Sequence, residues 1–281
     1  MRFLKVTVFV CIVIGPFSSC AEQADRTVQL MDDSHRKIVF KPNPKITKQS
    51  PLNIESFNRA PHEWGENVQG VKTRFKTSTK EVALTFDACG GDFGNDYDEE
   101  LITFLQSENI PATLFINERW IKENEEIFLT LAADPLFQIE NHGTYHKPLS
   151  VDGGEAWGIS ATGSPEEAFD EIMINHQTVK ELINRDMTLF RSGTAYYDEV
   201  AVELAQALGY DVVNFDILGD AGATYSSEQV EHALLQARKG SIVLLHMNQP
   251  GSGTAKGVMT AIPQLIEKGF EFVTLEAKEL E

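Results

Sequence analysis

The chain has 281 residues, 42% of them hydrophobic, with 42 acidic against 24 basic side chains and a formal net charge of −18. That length accommodates one large α/β domain with a well-buried core and an N-terminal extension. The acidic balance weighs against nucleic acid or an anionic lipid surface as partner, because both need positive stripes, and it suits the solubility of a secreted protein.

The N-terminus reads as a secretory signal. Arg2 and Lys5 precede an apolar run from Val6 to Ile14 that is too short to span a bilayer, and small residues follow. Residues 1–20 are therefore expected to be a signal peptide. Phe17 to Cys20, FSSC, resembles the lipobox of bacterial lipoproteins, although phenylalanine is unusual at its first position. The resemblance implies export across the inner membrane and a lipid anchor at Cys20 holding the protein at the periplasm or cell surface; simple secretion is the alternative. Residues 21–65 are polar and irregular, with three prolines in KPNPKITKQSP, and read as a tether or N-terminal extension. Cys11 leaves with the signal, so Cys89 is the sole cysteine of residues 66–281 and no intramolecular disulfide is possible. Cys89 reads as a small residue packed beneath a turn rather than as a nucleophile.

From Lys80 onward, short β-rich runs alternate with helical periodicity. The expected strands are Val82–Phe86, Ala112–Ile116, Phe137–Glu140, Thr188–Arg191, Asp211–Phe215, Ile242–His246 and Glu271–Leu275. Helices are expected over Asp98–Glu108, Glu118–Ala133, Pro165–Asn184, Asp198–Leu208, Ser227–Lys239 and Ala255–Lys268. The third opens with a capping box, Ser164 and Glu167, and a proline at its first position. Seven strands separated by six helices imply a parallel sheet with right-handed crossovers. Functional residues after nearly every strand favour an α/β barrel of the (β/α)7 type over an open sheet, which concentrates its site at one switch point.

In such a fold the C-terminal ends of all strands share one face. Asp87, the pair His142 and His146, Arg191, Asp216 and His246 all stand at or just beyond strand ends and can converge on one pocket suited to hydrolysis. Two histidines four residues apart can meet one cation from a turn of helix or a tight loop. His176 and His232 lie within helices and read as structural.

LTFDACGG, NHGTYHK, LFRSGTAYY, NFDILGDAG and VLLHMN resemble, in order, the five motifs of polysaccharide deacetylases, the family 4 carbohydrate esterases with a NodB-type domain. The likeness covers roughly residues 70–275. It implies a distorted NodB-like barrel forming a single catalytic domain over 66–281, and metal-assisted amide hydrolysis. A zinc-like divalent ion, with cobalt or nickel as substitutes, would be held by His142 and His146. Asp87 corresponds to the first aspartate of the TFDD motif, the general base, and Arg191 to the arginine that orients it. His246 corresponds to the general acid, with Asp220 holding its tautomer and Asp216 as the alternative. Leu244, two residues before His246 and on its side of the strand, would line a small acyl pocket.

Two departures stand out. Ala88 occupies the position of the second TFDD aspartate, the family's third metal ligand, and cannot coordinate. Asp92, after a flexible Gly-Gly turn, is the candidate replacement; completion of the sphere by water, or a weak or lost site, are the alternatives. The third motif reads SGTAYY without its usual proline, so Tyr196 or a neighbour is expected to supply the oxyanion donor. Trp64, Trp120, Trp157, Tyr145 and Tyr196 could stack on sugar rings. The expected substrate is an envelope or extracellular glycan carrying N-acetylglucosamine: peptidoglycan, a chitin-type oligomer or an exopolysaccharide. The rival readings are a glycan-binding lipoprotein without turnover, supported by Ala88, and an amidohydrolase on a small non-sugar amide.

Overall fold

The structure, a computed structural model, describes residues 52–281. The expected signal peptide, Cys20 and the expected tether up to residue 51 lie outside the described residues. In chain order the elements are β1 (Trp64–Gly65), β2 (Glu81–Ala88), α1 (Glu99–Ser107), β3 (Ala112–Ile116), α2 (Glu118–Glu123), α3 (Glu125–Ala133) and β4 (Phe137–Asn141). The hairpin β5 (Glu155–Ala156) and β6 (Ile159–Ser160) follows, then α4 (Pro165–Ile183), β7 (Leu189–Phe190), β8 (Tyr197–Asp198), α5 (Glu199–Ala207) and β9 (Asp211–Val212). The chain closes with β10 (Ile217–Leu218), α6 (Ser227–Leu234), β11 (Ser241–His246), α7 (Thr254–Glu267) and β12 (Glu271–Phe272).

One parallel sheet runs β10-β11-β2-β3-β4-β7-β9, and β12 pairs with the first residues of β2. Its two edges, β9 and β10, are joined by only residues 213–216. Five Cα steps reach at most about 18 Å, so the sheet must curl until its edges meet. The result is a distorted (β/α)7-type barrel. Its seam is bridged by the segment entering β2: Lys72 exchanges backbone hydrogen bonds with Val212 and Asn214, and Arg74 bridges to Ser241.

Strand alternation divides the core in two. Val82, Leu84, Phe86 and Ala88 of β2 face the packed helices, whereas Ala83 joins Phe75, Phe115, Leu189, Val213, Ile242 and Leu275 inside the barrel. Because both faces of the sheet are covered, β2 is buried along nearly its whole length. Thr85 and Asp87 share the inner side with Ala83, so the strand that closes the core also aims a carboxylate at the barrel mouth.

Several expectations change. All seven expected strand positions belong to the sheet, but β10 is an additional strand inside the segment read as loop after Asp216. The helix expected over Glu118–Ala133 is two helices broken at Asn124, whose side chain donates to the carbonyls of Asn95 and Trp120, competing with the helical ladder. Ser164 caps α4 by accepting from the Glu167 N–H, but the Glu167 carboxylate accepts from Gly163 instead of Ser164. The reciprocal box forms at α6 between Ser226 and Gln229. The end of the expected tether is bound to the domain: Phe57 is buried, β1 pairs antiparallel with β8, and Glu199 accepts from the N–H groups of His62 and Glu63.

Candidate active site

Strands β2, β4 and β11 bring Asp87, His146 and His246 to one cavity of about 420 Å³, which Cys89 also lines, and β7 places Arg191 behind it. β2 and β11 are in register with His246 opposite Asp87, so both side chains stand at the same height on adjacent strands. Arg191 follows β7 and reaches across the barrel interior beneath them. Its Nη1 donates to Asp87 Oδ1 at 2.8 Å and to Thr85 Oγ1 at 2.9 Å, Nε to the carbonyl of Val213 and Nη2 to that of Asn214. The guanidinium also lies over the Phe115 ring at 4.2 Å and is fully buried. A planar fork held by hydrogen bonds from all three of its nitrogens is a positive charge fixed in place, which a lysine could not reproduce. Burial pushes the Asp87 carboxyl up, but the Arg191 guanidinium bonded to it, together with His246, outweighs burial and holds it below the ordinary aspartate value. Asp87 is therefore ionised.

His246 is tied to Asp220. Its Nδ1 donates to Asp220 Oδ1 at 2.8 Å, while its backbone N–H and the Thr254 hydroxyl donate to Oδ2. Burial lowers the affinity of the imidazole for its proton, yet the buried Asp220 carboxylate overcomes this and raises its pKa well above the ordinary histidine value. The alternative partner Asp216 is engaged elsewhere: it accepts from Arg74, Ser241 and the Ile242 N–H at the seam.

His142 and His146 come from a tight loop rather than a helix. Gly143 (φ +78°) and His146 (φ +62°) turn it, and Asn117 donates to the carbonyls of His142 and Gly143. The buried Glu171 of α4 accepts from the N–H groups of Thr144, Tyr145 and Lys147. A Cβ at Gly143 would lie 2.4 Å from Glu171 Oε1, so glycine is required there. Glu171 is a residue sequence reasoning missed; it lies in the middle of an amphipathic helix, and nothing in the local pattern marks it. Burial raises its carboxyl to about 7 against the opposing backbone donors.

His142 Nδ1 lies 3.0 Å from the carbonyl of Arg191. A carbonyl can only accept, so Nδ1 carries the proton and the Nε2 lone pair is left facing Asp87 Oδ2 (3.6 Å) and Cys89 Sγ (3.8 Å). Burial lowers the His142 pKa, which keeps the ring neutral. His146 Nε2 is buried and has no hydrogen-bond partner among the described residues. Donor atoms of Cys89, His142 and His146 all lie within 4.8 Å of one another. Two imidazole donors and a sulfur, one imidazole nitrogen left orphaned, fit a divalent transition metal.

Three assignments are corrected. Asp92 is exposed, and the side chain that gathers with the two histidines is Cys89. Cys89 is not sealed beneath a turn but half-buried and lining the cavity. Burial pushes its thiol up, yet His146 and His246 bring it down to about 6. Tyr196 does not line the cavity; its ring packs against Trp64 and Trp157 at 5.8 and 5.9 Å, while Gly193, Thr194 and Ala195 form that wall. The Thr194 hydroxyl is buried without a partner among the described residues. Leu244 lines the cavity as its strand position requires. Of the other aromatic residues, Trp120 is fully buried and donates to the Asp96 carbonyl, whereas Trp157 is 75% exposed and Tyr145 54%.

A family model described as polysaccharide deacetylase matches residues 74–213. A curated relative, the uncharacterized protein YlxY of Bacillus subtilis (strain 168), is 22% identical over 189 residues. That match takes in 65% of this chain and 53% of the relative, so the chain spans about half the relative's length. Among solved structures, the Bc1960 peptidoglycan N-acetylglucosamine deacetylase superposes with a TM-score of 0.63 at 22% identity, covering 75% of this chain and 92% of that one. A CE4-family pseudoenzyme from Bacillus anthracis superposes at 0.61 with 21% identity, covering 73% and 67%. The structural likenesses concern the fold.

Proposed function

With residues 74–213 constituting a domain of the polysaccharide deacetylase family, we propose that the chain is a metal-dependent hydrolase removing N-acetyl groups from an N-acetylglucosamine-containing polysaccharide of the cell envelope. The observation that carries this reading is the pairing of two oppositely prepared groups on one cavity: Asp87, kept ionised by Arg191, and His246, kept protonated by Asp220. Amide hydrolysis needs such a pair, one group to take a proton from water and one to give a proton to the departing amine.

In this mechanism Asp87 orients the attacking water and accepts its proton. The acetyl methyl group packs on Leu244, and Gly193, Thr194 and Ala195 form a further wall of the cavity around the acetyl group. His246 delivers its Nε2 proton to the amine nitrogen, and Asp220 stabilises the imidazolium until then. A divalent cation, zinc by default and cobalt or nickel as substitutes, would be held by His142 and His146, polarising the acetyl carbonyl and acidifying water. The products are acetate and a free amino sugar.

Peptidoglycan, chitin-type oligomers and N-acetylglucosamine exopolysaccharides carry the required group. The signal-like residues 1–20 support export, with a lipid anchor at Cys20 placing the enzyme beside such glycans. A binding protein without turnover is the second reading, favoured by the methyl group of Ala88 where the family pattern has a carboxylate. Acetate release from N-acetylglucosamine oligomers and peptidoglycan decides between them. Release that chelation and Asp87→Asn both abolish supports the enzyme; glycan affinity without any release supports the binder.

A further inference from the structure

We propose that Cys89, as a thiolate, is the third protein ligand of the divalent cation held by His142 and His146, taking over from the carboxylate that Ala88 replaces. The inference rests on the metal site of the proposed function but concerns which side chain completes it. Ala88 is the last residue of β2, and alternation turns its side chain outward, where it is fully buried with Phe86 and Leu84 against the helices. The next side chain returns to the cavity, and that side chain is Cys89.

Its position is held from three directions. The backbone turns sharply through Gly90 (φ +68°) and Gly91 (φ +85°). Arg119 Nη2 donates to the carbonyls of Cys89 and Gly90 at 3.1 and 3.3 Å. A Cβ on Gly90 would lie 2.5 Å from the Trp120 backbone nitrogen, so the turn packs flush on α2. Sγ is thereby set 3.8 Å from His142 Nε2 and within 4.8 Å of the His146 donor. Both imidazoles present an unoccupied nitrogen: the His142 Nδ1–H is spent on the Arg191 carbonyl, the outer-shell bond that orients metal-binding histidines, and His146 Nε2 is buried without a partner among the described residues. On binding, the thiol proton leaves to solvent and the sulfur lone pair enters the metal sphere. A two-histidine, one-thiolate donor set selects zinc, cobalt or nickel over magnesium, calcium or manganese.

The test is cobalt titration of the purified, metal-stripped protein under anaerobic conditions, read by absorption without substrate. The wild type should bind one Co²⁺ with a sulfur-to-cobalt charge-transfer band in the near ultraviolet. Cys89→Ser should lose the band and bind at least about tenfold more weakly, since loss of even an outer-shell partner weakens metal by that factor. A second measurement needs no variant: saturating zinc should slow iodoacetamide alkylation of Cys89 at least tenfold, scored on its own peptide to separate it from Cys11 and Cys20. Cobalt bound without the band, equal affinity in Cys89→Ser, alkylation indifferent to zinc, or no metal bound at all would each overturn the proposal. So would a stable acetyl thioester on Cys89, which would make the sulfur a nucleophile. Acetate release is assayed separately: a sulfur band with no release sinks the deacetylase reading alone, and release without the band sinks the ligand alone.

Discussion

Asp87 and His246 are directly paired residues in the register of β2 and β11, and each is gripped by its own buried partner, Arg191 and Asp220. One strand pair thus presents an anion and a cation side by side at the barrel mouth. The two partners approach from opposite directions: Arg191 from across the barrel interior, Asp220 from the loop after β10. Charge is separated here by folding, because neither pair is local in sequence.

Asp87→Asn keeps the shape and an acceptor for Arg191 but removes the base. Acetate release is expected to fall by about 10² to 10⁴-fold. The guanidinium retains Thr85, Val213 and Asn214 as acceptors, so the variant should remain folded by circular dichroism. Activity within threefold of wild type would remove Asp87 from the mechanism.

Arg191→Met should shift the pH–rate profile. Arg191 is the foremost of the charges that pull the Asp87 carboxyl down against burial, so its loss lets that pKa rise. The acid limb of kcat/KM should therefore move to higher pH. Breaking a buried ion pair from one side should also lower stability by about 3 to 5 kcal/mol, read by urea unfolding.

Asp220→Asn should move the opposite limb. Without the carboxylate, burial dominates and the His246 pKa falls, so the alkaline limb should shift to lower pH. The sign for stability follows: the His246–Asp220 pair stabilises the fold fully below the unfolded histidine value, and that contribution fades as pH rises through the elevated folded value. The variant should lose this slope in unfolding free energy measured across the alkaline range.

Glu140 offers a pH effect remote from the chemistry. Burial raises its carboxyl to about 7, although the N–H groups of Leu189 and Thr188 and the Gln138 side chain oppose the shift. An acid whose folded pKa is raised favours the folded state below its unfolded value, and this advantage is lost as pH climbs from about 4.5 to about 7. Glu140→Gln should flatten the stability–pH curve in that window, by up to about 3 kcal/mol at 1.4 kcal/mol per pKa unit. An unchanged slope in urea unfolding at pH 5 and pH 8 would contradict it.

Trp157 stands 75% exposed on the β5–β6 hairpin, edge-on to Tyr196 at the cavity rim. If it stacks on a sugar ring, Trp157→Ala should raise KM for N-acetylglucosamine oligomers by about 5 to 150-fold, the equivalent of 1 to 3 kcal/mol per stacked ring by analogy with bases. Hydrolysis of a small acetyl ester should be untouched. Equal effects on both substrates would assign the side chain to packing.

The fold was legible from sequence because its signal is local. Apolar runs such as VALTF and IVLLH alternate with helical periodicity, and parallel strands send their C-terminal ends to one face wherever that alternation holds. The polar residues Asp87, His142, Arg191 and His246 were readable for the same reason, each ending or following such a run. Boundaries shifted where side chains intervened: Asn124 breaks a helix by bonding backbone, and β10 is a two-residue strand recognisable only once β11 lies beside it.

By itself the amino-acid order determined the (β/α)7 alternation, the motif series and the set of side chains brought to the barrel mouth. Only the tertiary structure decided between Asp220 and Asp216, because that choice depends on which carboxylate lies under β11 and which is bound at the seam. It likewise gathered Cys89, and not Asp92, with the two histidines and revealed Glu171 behind the histidine loop. These are contacts between segments remote in sequence, Arg74 and Asp216 at the seam among them, or across a turn whose direction rests on Arg119 and Trp120, and no local periodicity encodes them.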